Sequence, residues 1–347
     1  MVSESLPPGV RLNRQGERRE IMAMIGIDVS KAKLDCFWLK DAVRRTGKAK
    51  VFKNSPEDFV ALVGWMIAQT SETPAQLHFV MEATGIYHEA LAHALHAAGT
   101  KVSVVNPALV RDYAKSLGTR TKTDKQDSVV LALFGAREPL RLWQPEPVAI
   151  RTLKALLARY EAVKQDHQRE LNRLEKAQIT QVSEVVLESI QTLLAELKKE
   201  QLRLEKCIRQ HIDQHPDLLR DRRLLESIPG VGPVVSALML AVIRSRSFLS
   251  AAQCAAFLGL VPVQHESGSS VRGPSRLSKA GDATVRAKLY MAAVVAIQHN
   301  PDIKHQYERL LKKGKSKMSA LGAAMRKLVH ICFGVLKHQT AYQARIA

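Results

Sequence analysis

Four acidic residues have the types and spacing for metal-assisted phosphoryl transfer: Asp28, Glu82, Asp124 and Asp127. Asp28 lies inside the apolar run MIGIDVS, and Glu82 ends the apolar run LHFVME. Asp124 and Asp127 share the polar stretch TKTDKQDSVVLA, which turns into a helical pattern. A carboxylate at the end of a buried strand is costly unless something pairs it, and a divalent cation is the natural partner. Placed at i and i+3, Asp124 and Asp127 project from one helix face. If the strands of Asp28 and Glu82 are neighbours, all four acids can converge. Oxygen-only donors suit Mg²⁺ or Mn²⁺ rather than zinc. Two such cations about 4 Å apart clamp the attacking and leaving oxygens of a phosphoryl transfer. Blander readings stand beside this one: Asp124 and Asp127 as a solvated first helical turn beside Lys122 and Lys125, and Asp28 as a strand-end turn acid. Asp35, on the following strand, is a competing acid expected to point elsewhere.

Two further constellations suit a phosphate. Glu266-Ser267-Gly268-Ser269-Ser270-Val271-Arg272-Gly273 reads as a loop between two helices, with positive charge from Arg272, Arg276 and Lys279. Glycines there permit close approach of backbone to a phosphate. A serine can attack a phosphodiester if its proton is removed and the oxyanion is stabilised. Residue types alone do not choose among Ser267, Ser269 and Ser270, and a flexible linker or a phosphate-gripping loop fits the same composition. Ile228-Pro229-Gly230-Val231-Gly232 reads as the turn of a helix-hairpin-helix. Amides near Gly230 and Gly232, at the start of the next helix, could hold DNA backbone without reading sequence. Ordinary helix capping, with Gly as stop and Pro233 as start, explains the same residues.

The elements that must position these groups follow from periodicity. IGIDVS, KLDCFWLK and KAKVFKN read as three consecutive strands. Ser55 and Pro56 open a helix through FVALVGWMIAQ. LHFVMEA is a strand, HEALAHALHAAG a helix closed by Gly99, KVSVVNP a strand, and a helix starts near Thr123. The order βββαβαβα implies a mixed sheet covered by helices and resembles the ribonuclease-H-like fold of RuvC-type nucleases. Pro139, Pro145 and Pro147 mark a boundary. Beyond it, Leu153, Leu156, Leu157 and Tyr160, then Ile190, Leu193, Leu194 and Leu197, form narrow apolar stripes on charged helices. Such stripes need a partner helix, in this chain or in a second one, and a dimerising helical hairpin is expected. From about Pro216 the pattern is again mostly helical. The expected organisation is therefore a disordered basic arm (1–20), an α/β domain (21–145), a coiled-coil region (146–215) and a mostly helical C-terminal domain (216–347).

Composition sets the partner. The 347 residues carry 52 Lys+Arg against 33 Asp+Glu, a formal charge of +19, with 46% hydrophobic residues. That excess favours a polyanion, nucleic acid first. No apolar run approaches a bilayer span of about 18 residues, and no secretory signal is visible, so no membrane partner is expected. Four scattered cysteines, with no CxxC pair, argue against zinc and for a reducing cytoplasm.

The segments GIDVSKAKLD, MEATGIYHEAL, VNPALV, KTDKQDSVVLA, LLESIPGVGP, AAFLGLVP and ESGSSVRGPSRLSKAGDATVRAKLYMAA occur in that order. Together they resemble transposases of insertion-sequence family 110, from about Ile25 to Lys337. The resemblance implies a DEDD recombinase with a RuvC-like N-terminal domain and a serine-bearing C-terminal domain. It places the DEDD set on Asp28, Glu82, Asp124 and Asp127, and the family serine on Ser267. It further implies insertion and excision of a mobile element and a structured noncoding guide RNA that bridges double-stranded donor and target DNA. A dimer pairing into a tetramer, with an active site shared between subunits, is also implied. Two rivals stand: a metal-dependent resolvase-type endonuclease with water as nucleophile, and a non-catalytic nucleic-acid-binding protein. A DNA partner implies a cytoplasmic, nucleoid-associated location.

Overall fold

The computed structural model describes residues 10–12, 18–20, 22–83, 85–118, 124–267, 271–278 and 280–344, with backbone alone at 10–12, 18–20, 124–125, 264–267 and 271–275. The chain divides into two compact units, Met1–Pro145 and Glu146–Ala347.

In the first unit, β1 (Val10–Leu12) pairs antiparallel with β2 (Arg18–Glu20), Val10 facing Glu20. Part of the segment expected to be a disordered arm is therefore paired. Val10 and Leu12 alternate with Arg11, a strand pattern that the surrounding charge obscures. The rest of the arm lies outside the described residues.

The body of the unit is a five-stranded sheet of β3 (Ala23–Val29), β4 (Lys33–Asp41), β5 (Thr46–Lys53), β6 (Leu77–Glu82) and β7 (Lys101–Val105). The strand order is β5-β4-β3-β6-β7. The three consecutive strands pair antiparallel, and β6 and β7 run parallel to β3. Helices α1 (Pro56–Thr70) and α2 (Glu89–Ala97) cover one face, where Ile25, Ile27 and Phe79 meet Phe59, Leu62, Met66 and Leu91. Helices α3 (Pro107–Ser116) and α4 (Asp124–Arg137) cover the other, where Val80 packs with Val110, Leu131 and Phe134. Helix α3 is absent from the expected order. Its start signal is present, because the Asn106 side chain accepts the Ala108 N–H at 2.9 Å and Pro107 takes the first helical position. Its apolar face is short, with Val110 its buried residue, so periodicity gave little to detect.

The second unit starts with two long helices, α5 (Val148–Ile179) and α6 (Glu184–Asp213), each about 45 Å long at 1.5 Å per residue. They are antiparallel. Near one end the His211 ring nitrogen meets the Ala149 carbonyl at 2.8 Å, and further along the Tyr160 hydroxyl donates to Glu205 at 2.7 Å. The stripe on α5 thus finds its partner within the chain. Val185 and Leu193 on α6 remain exposed.

Ile150, Leu153, Ile208 and Ile212 root the helical hairpin in one core with α7 (Pro216–Glu226), α8 (Pro233–Arg244), α9 (Ala251–Phe257), α10 (Ala283–His299), α11 (Pro301–Lys312) and α12 (Lys317–His338). Among the described residues α12 alone is long and apolar enough to cross a bilayer, but Leu328, Val329 and Cys332 lie in this core. Between α9 and α10 stands a β-hairpin, β8 (Pro262–Ser267) and β9 (Val271–Leu277).

Candidate active site

Asp28 and Glu82 stand on adjacent parallel strands. Gly26 is opposite Val80 and Ile27 opposite Met81, so Asp28 and Glu82 are the next residues along. The strand period of two puts both on the face that carries Met24, Gly26 and Val80. They lie at the carboxyl ends of β3 and β6, the edge where open α/β sheets place their ligands. Asp35 belongs to this group, contrary to expectation. It is the direct antiparallel partner of Asp28, and opposed residues share a face. Its carboxylate is paired with Lys33 Nζ at 3.1 Å, which offsets the repulsion between the two aspartates. Sequence gave no pairing register, and register decides the face.

The helix bearing Asp124 and Asp127 is pressed onto the same face. A Cβ at Gly26 would lie 2.0 Å from the Ser128 carbonyl oxygen and 2.5 Å from the Ala132 nitrogen. One at Gly135 would lie 2.6 Å from Val80 Cγ2 and 2.7 Å from Met24 Sδ. Position 135 therefore sits over Met24 and position 128 over Gly26, so α4 runs against the direction of β3. Its first turn, with Asp124 and Asp127, falls at the sheet end of Asp28 and Glu82. Acids in a first turn also suit the helix dipole. Gly26 is the positioning residue that sequence reading missed, although the glycine stands two residues before Asp28.

The acids whose backbone positions share this end of the sheet offer only carboxylate oxygens, the chemistry a hard cation needs. Among the described residues no three His, Cys, Asp or Glu side chains form a ready metal cage. The side chain of Asp124 lies outside them. The cysteines offer no alternative. All four are free, and burial pushes the thiols of Cys254 and Cys332 up to about 12.

Ser267 is the last residue of β8, opposite Val271, with Glu266 opposite Arg272. The segment expected as a loop is therefore mostly a hairpin. Its Ser and Gly content hid the alternation, and the register shift between Val263 and His265 breaks the period further. The side chains of Ser267 and Arg272, and the whole of Lys279, lie outside the described residues. Arg276 is exposed, opposite Val263. The hairpin base is fixed by close backbone approach. Gly259, at φ +72°, would put a Cβ 2.0 Å from the Ala280 carbonyl oxygen. The Arg286 guanidinium donates to the Ala280 and Gly281 carbonyls at 3.1 and 2.8 Å.

The α7–α8 turn has two different glycines. Gly230, at φ +97°, packs against α10, where a Cβ would meet Ala296 Cβ at 2.7 Å. Gly232 is exposed, with no heavy atom within 4 Å of a Cβ placed there, and precedes Pro233 at the start of α8.

Comparison with known proteins extends this picture. Residues 25–182 match the DEDD transposase of IS110, and residues 222–308 match the transposase of the IS116/IS110/IS902 family. The first segment holds all four acids and the second holds Ser267. The pilin gene-inverting protein of Moraxella bovis is 35% identical over 324 residues, 93% of this chain and 98% of its own length. That of Moraxella lacunata is 36% identical over the same length. The IS1111A transposase of Coxiella burnetii is 24% identical over 275 residues, 71% of this chain and 74% of its own. These matches define an enzyme that recombines DNA. The chain belongs to the IS110 family of transposases.

Proposed function

We propose that this enzyme cuts and rejoins DNA strands to insert and excise a mobile element, with Ser267 as nucleophile and Asp28, Glu82, Asp124 and Asp127 as its metal-holding carboxylates. The observation that carries this reading is the meeting of two strand-end acids with the first turn of α4, held by the helix contact at Gly26. The strand order β5-β4-β3-β6-β7, antiparallel then parallel, supports a RuvC-like reading of the first unit. Mg²⁺, or Mn²⁺ in its place, held by the four acids would draw charge from a DNA phosphate and ease attack on it.

The chain's own groups supply the bond changes. The Ser267 oxygen bonds to phosphorus, one phosphorus–oxygen bond of the DNA strand breaks, and the departing strand keeps its oxygen as a hydroxyl, taking up a proton as the serine gives one up. A hydroxyl of the partner strand reverses the reaction and joins exchanged strands. The number of phosphodiester bonds is conserved, so no nucleotide triphosphate is consumed. Arg272, Arg276 and Lys279 stabilise charge on the phosphate. The turn holding Gly230 and Gly232 grips backbone as a helix-hairpin-helix does, with Gly232 as its open position.

Target choice is delegated to a structured noncoding RNA that bridges donor and target DNA. The working form is a dimer that pairs into a tetramer on DNA in the nucleoid, with acids and serine supplied by different subunits. Inversion of a pilin gene, named for the Moraxella relatives, needs the same exchange of strands.

Ser267→Ala and Asp124→Ala each abolish strand cleavage and leave DNA binding within about threefold, read by gel assays on the element's own junction DNA with RNA transcribed from its flanks. Cleavage by Ser267→Ala would show that Ser267 is not the nucleophile.

A further inference from the structure

The turn between α11 and α12 carries positive charge that the fold does not use. Residues 312–319 are exposed without interruption and include Lys312, Lys313, Lys315 and Lys317. No Asp or Glu occurs after Glu308, and Arg309 precedes the four lysines. On α5 and α6 the basic residues are instead interleaved with acids and paired one turn away, as in Arg169 with Asp166, Lys199 with Glu196 and Arg203 with Glu200. None of the four turn lysines has an ion pair or side-chain hydrogen bond to a described residue. Lys317 also sits in the first turn of α12, where no acid is present and the helix dipole disfavours a cation.

The backbone that presents them is well defined. Lys313 N–H donates to the Arg309 carbonyl, Gly314 N–H to Leu311 and Lys315 N–H to Leu310, at 3.2, 2.9 and 3.1 Å. Gly322, five residues into α12 from Lys317, lies against Leu277 at the base of the serine hairpin. Five helical residues advance about 8 Å, so Lys317 stands about that far along α12 from that base. Both matched family segments end by residue 308, before the turn begins.

We propose that the α11–α12 turn is a clamp for the phosphodiester backbone, engaging nucleic acid that leaves the serine hairpin. Lysine ammoniums act there as point charges on phosphates and carry no sequence preference. The inference rests on the proposed function only for the polyanionic partner. It is read by binding, whereas the Ser267 assignment is read by cleavage, so either can fail alone.

The test replaces all four lysines with glutamine in the full-length chain. Affinity for a duplex of arbitrary sequence and for an unrelated structured RNA is then measured across salt concentrations. The slope of log affinity against log salt falls by about 3 on at least one of them, since each phosphate contact contributes about 0.7–0.9. A fall on one alone identifies which nucleic acid the turn holds. Removing as many charges from α6, at Lys198, Lys199, Lys206 and Arg209, moves the slope by less than 1. The double variant K313Q/K315Q, a smaller change to the fold, shows about half the effect. Unchanged slopes on both nucleic acids, or equal losses in the α6 control, overturn the proposal.

Discussion

Gly26 sets how closely α4 lies on the sheet. Any side chain there meets the backbone of α4, which cannot rotate aside, so the helix must lift and carry Asp124 and Asp127 with it. Gly26→Ala is expected to destabilise the first unit by about 2–4 kcal/mol in urea unfolding, and to lower cleavage even where the protein remains folded. Asp35 gives a contrast. Its charge is already neutralised by Lys33, so Asp35→Asn should retain at least tenfold more cleavage than Asp28→Asn in parallel assays. His78 sets an acid limit. The Ser103 hydroxyl donates to the Arg141 carbonyl at 2.9 Å and therefore accepts the His78 Nε2–H at 2.9 Å. Burial, with Lys101 nearby, holds His78 down to about 4. The folded ring stays neutral where the unfolded one takes up a proton. Its contribution is complete above pH about 6.5 and is lost as pH falls toward 4. His78→Gln should flatten that part of the stability–pH curve.

Among the elements, the tie between α7, α8 and the end of α12 is the most exposed to single changes. Asp221 is buried, accepts from Arg244 Nε at 2.6 Å and from Gln339 Nε2 at 2.9 Å, and so joins three segments distant in sequence. Arg244 is partly exposed and can be hydrated when its partner is lost, so Asp221→Ala should cost about 1.5–3 kcal/mol, the scale of a charged hydrogen bond, in thermal unfolding. This tie was not legible in the sequence, because Asp221 sits among arginines and reads as one more surface charge. The sheet was legible, since its strands carry apolar runs bounded by turns, and so were the acids that interrupt or end those runs. What failed were features set by pairing. The face of Asp35 depends on register, the serine segment becomes a hairpin only when Val263 and Arg276 meet, and α3 has too small an apolar face to announce itself. Gly26 was invisible for the same reason: its meaning is a helix laid over it from a hundred residues away.

At the scale of the whole molecule, two compact units have separate cores, the first bearing the proposed acids and the second the proposed serine. Calorimetry should resolve two transitions, one lowered by Gly26→Ala and the other by Asp221→Ala; a single transition lowered by both would show that the units unfold together. In the proposed reaction, acids from one subunit serve a serine from another in a bond-conserving exchange. Its most direct test is a denaturing gel of the protein incubated with Mg²⁺, labelled junction DNA and flank-derived RNA. The expected result is an SDS-resistant protein–DNA adduct whose linkage maps to Ser267 and which is absent in Ser267→Ala and Asp124→Ala. Cleaved DNA with no adduct, or an adduct mapped to another residue, would contradict it.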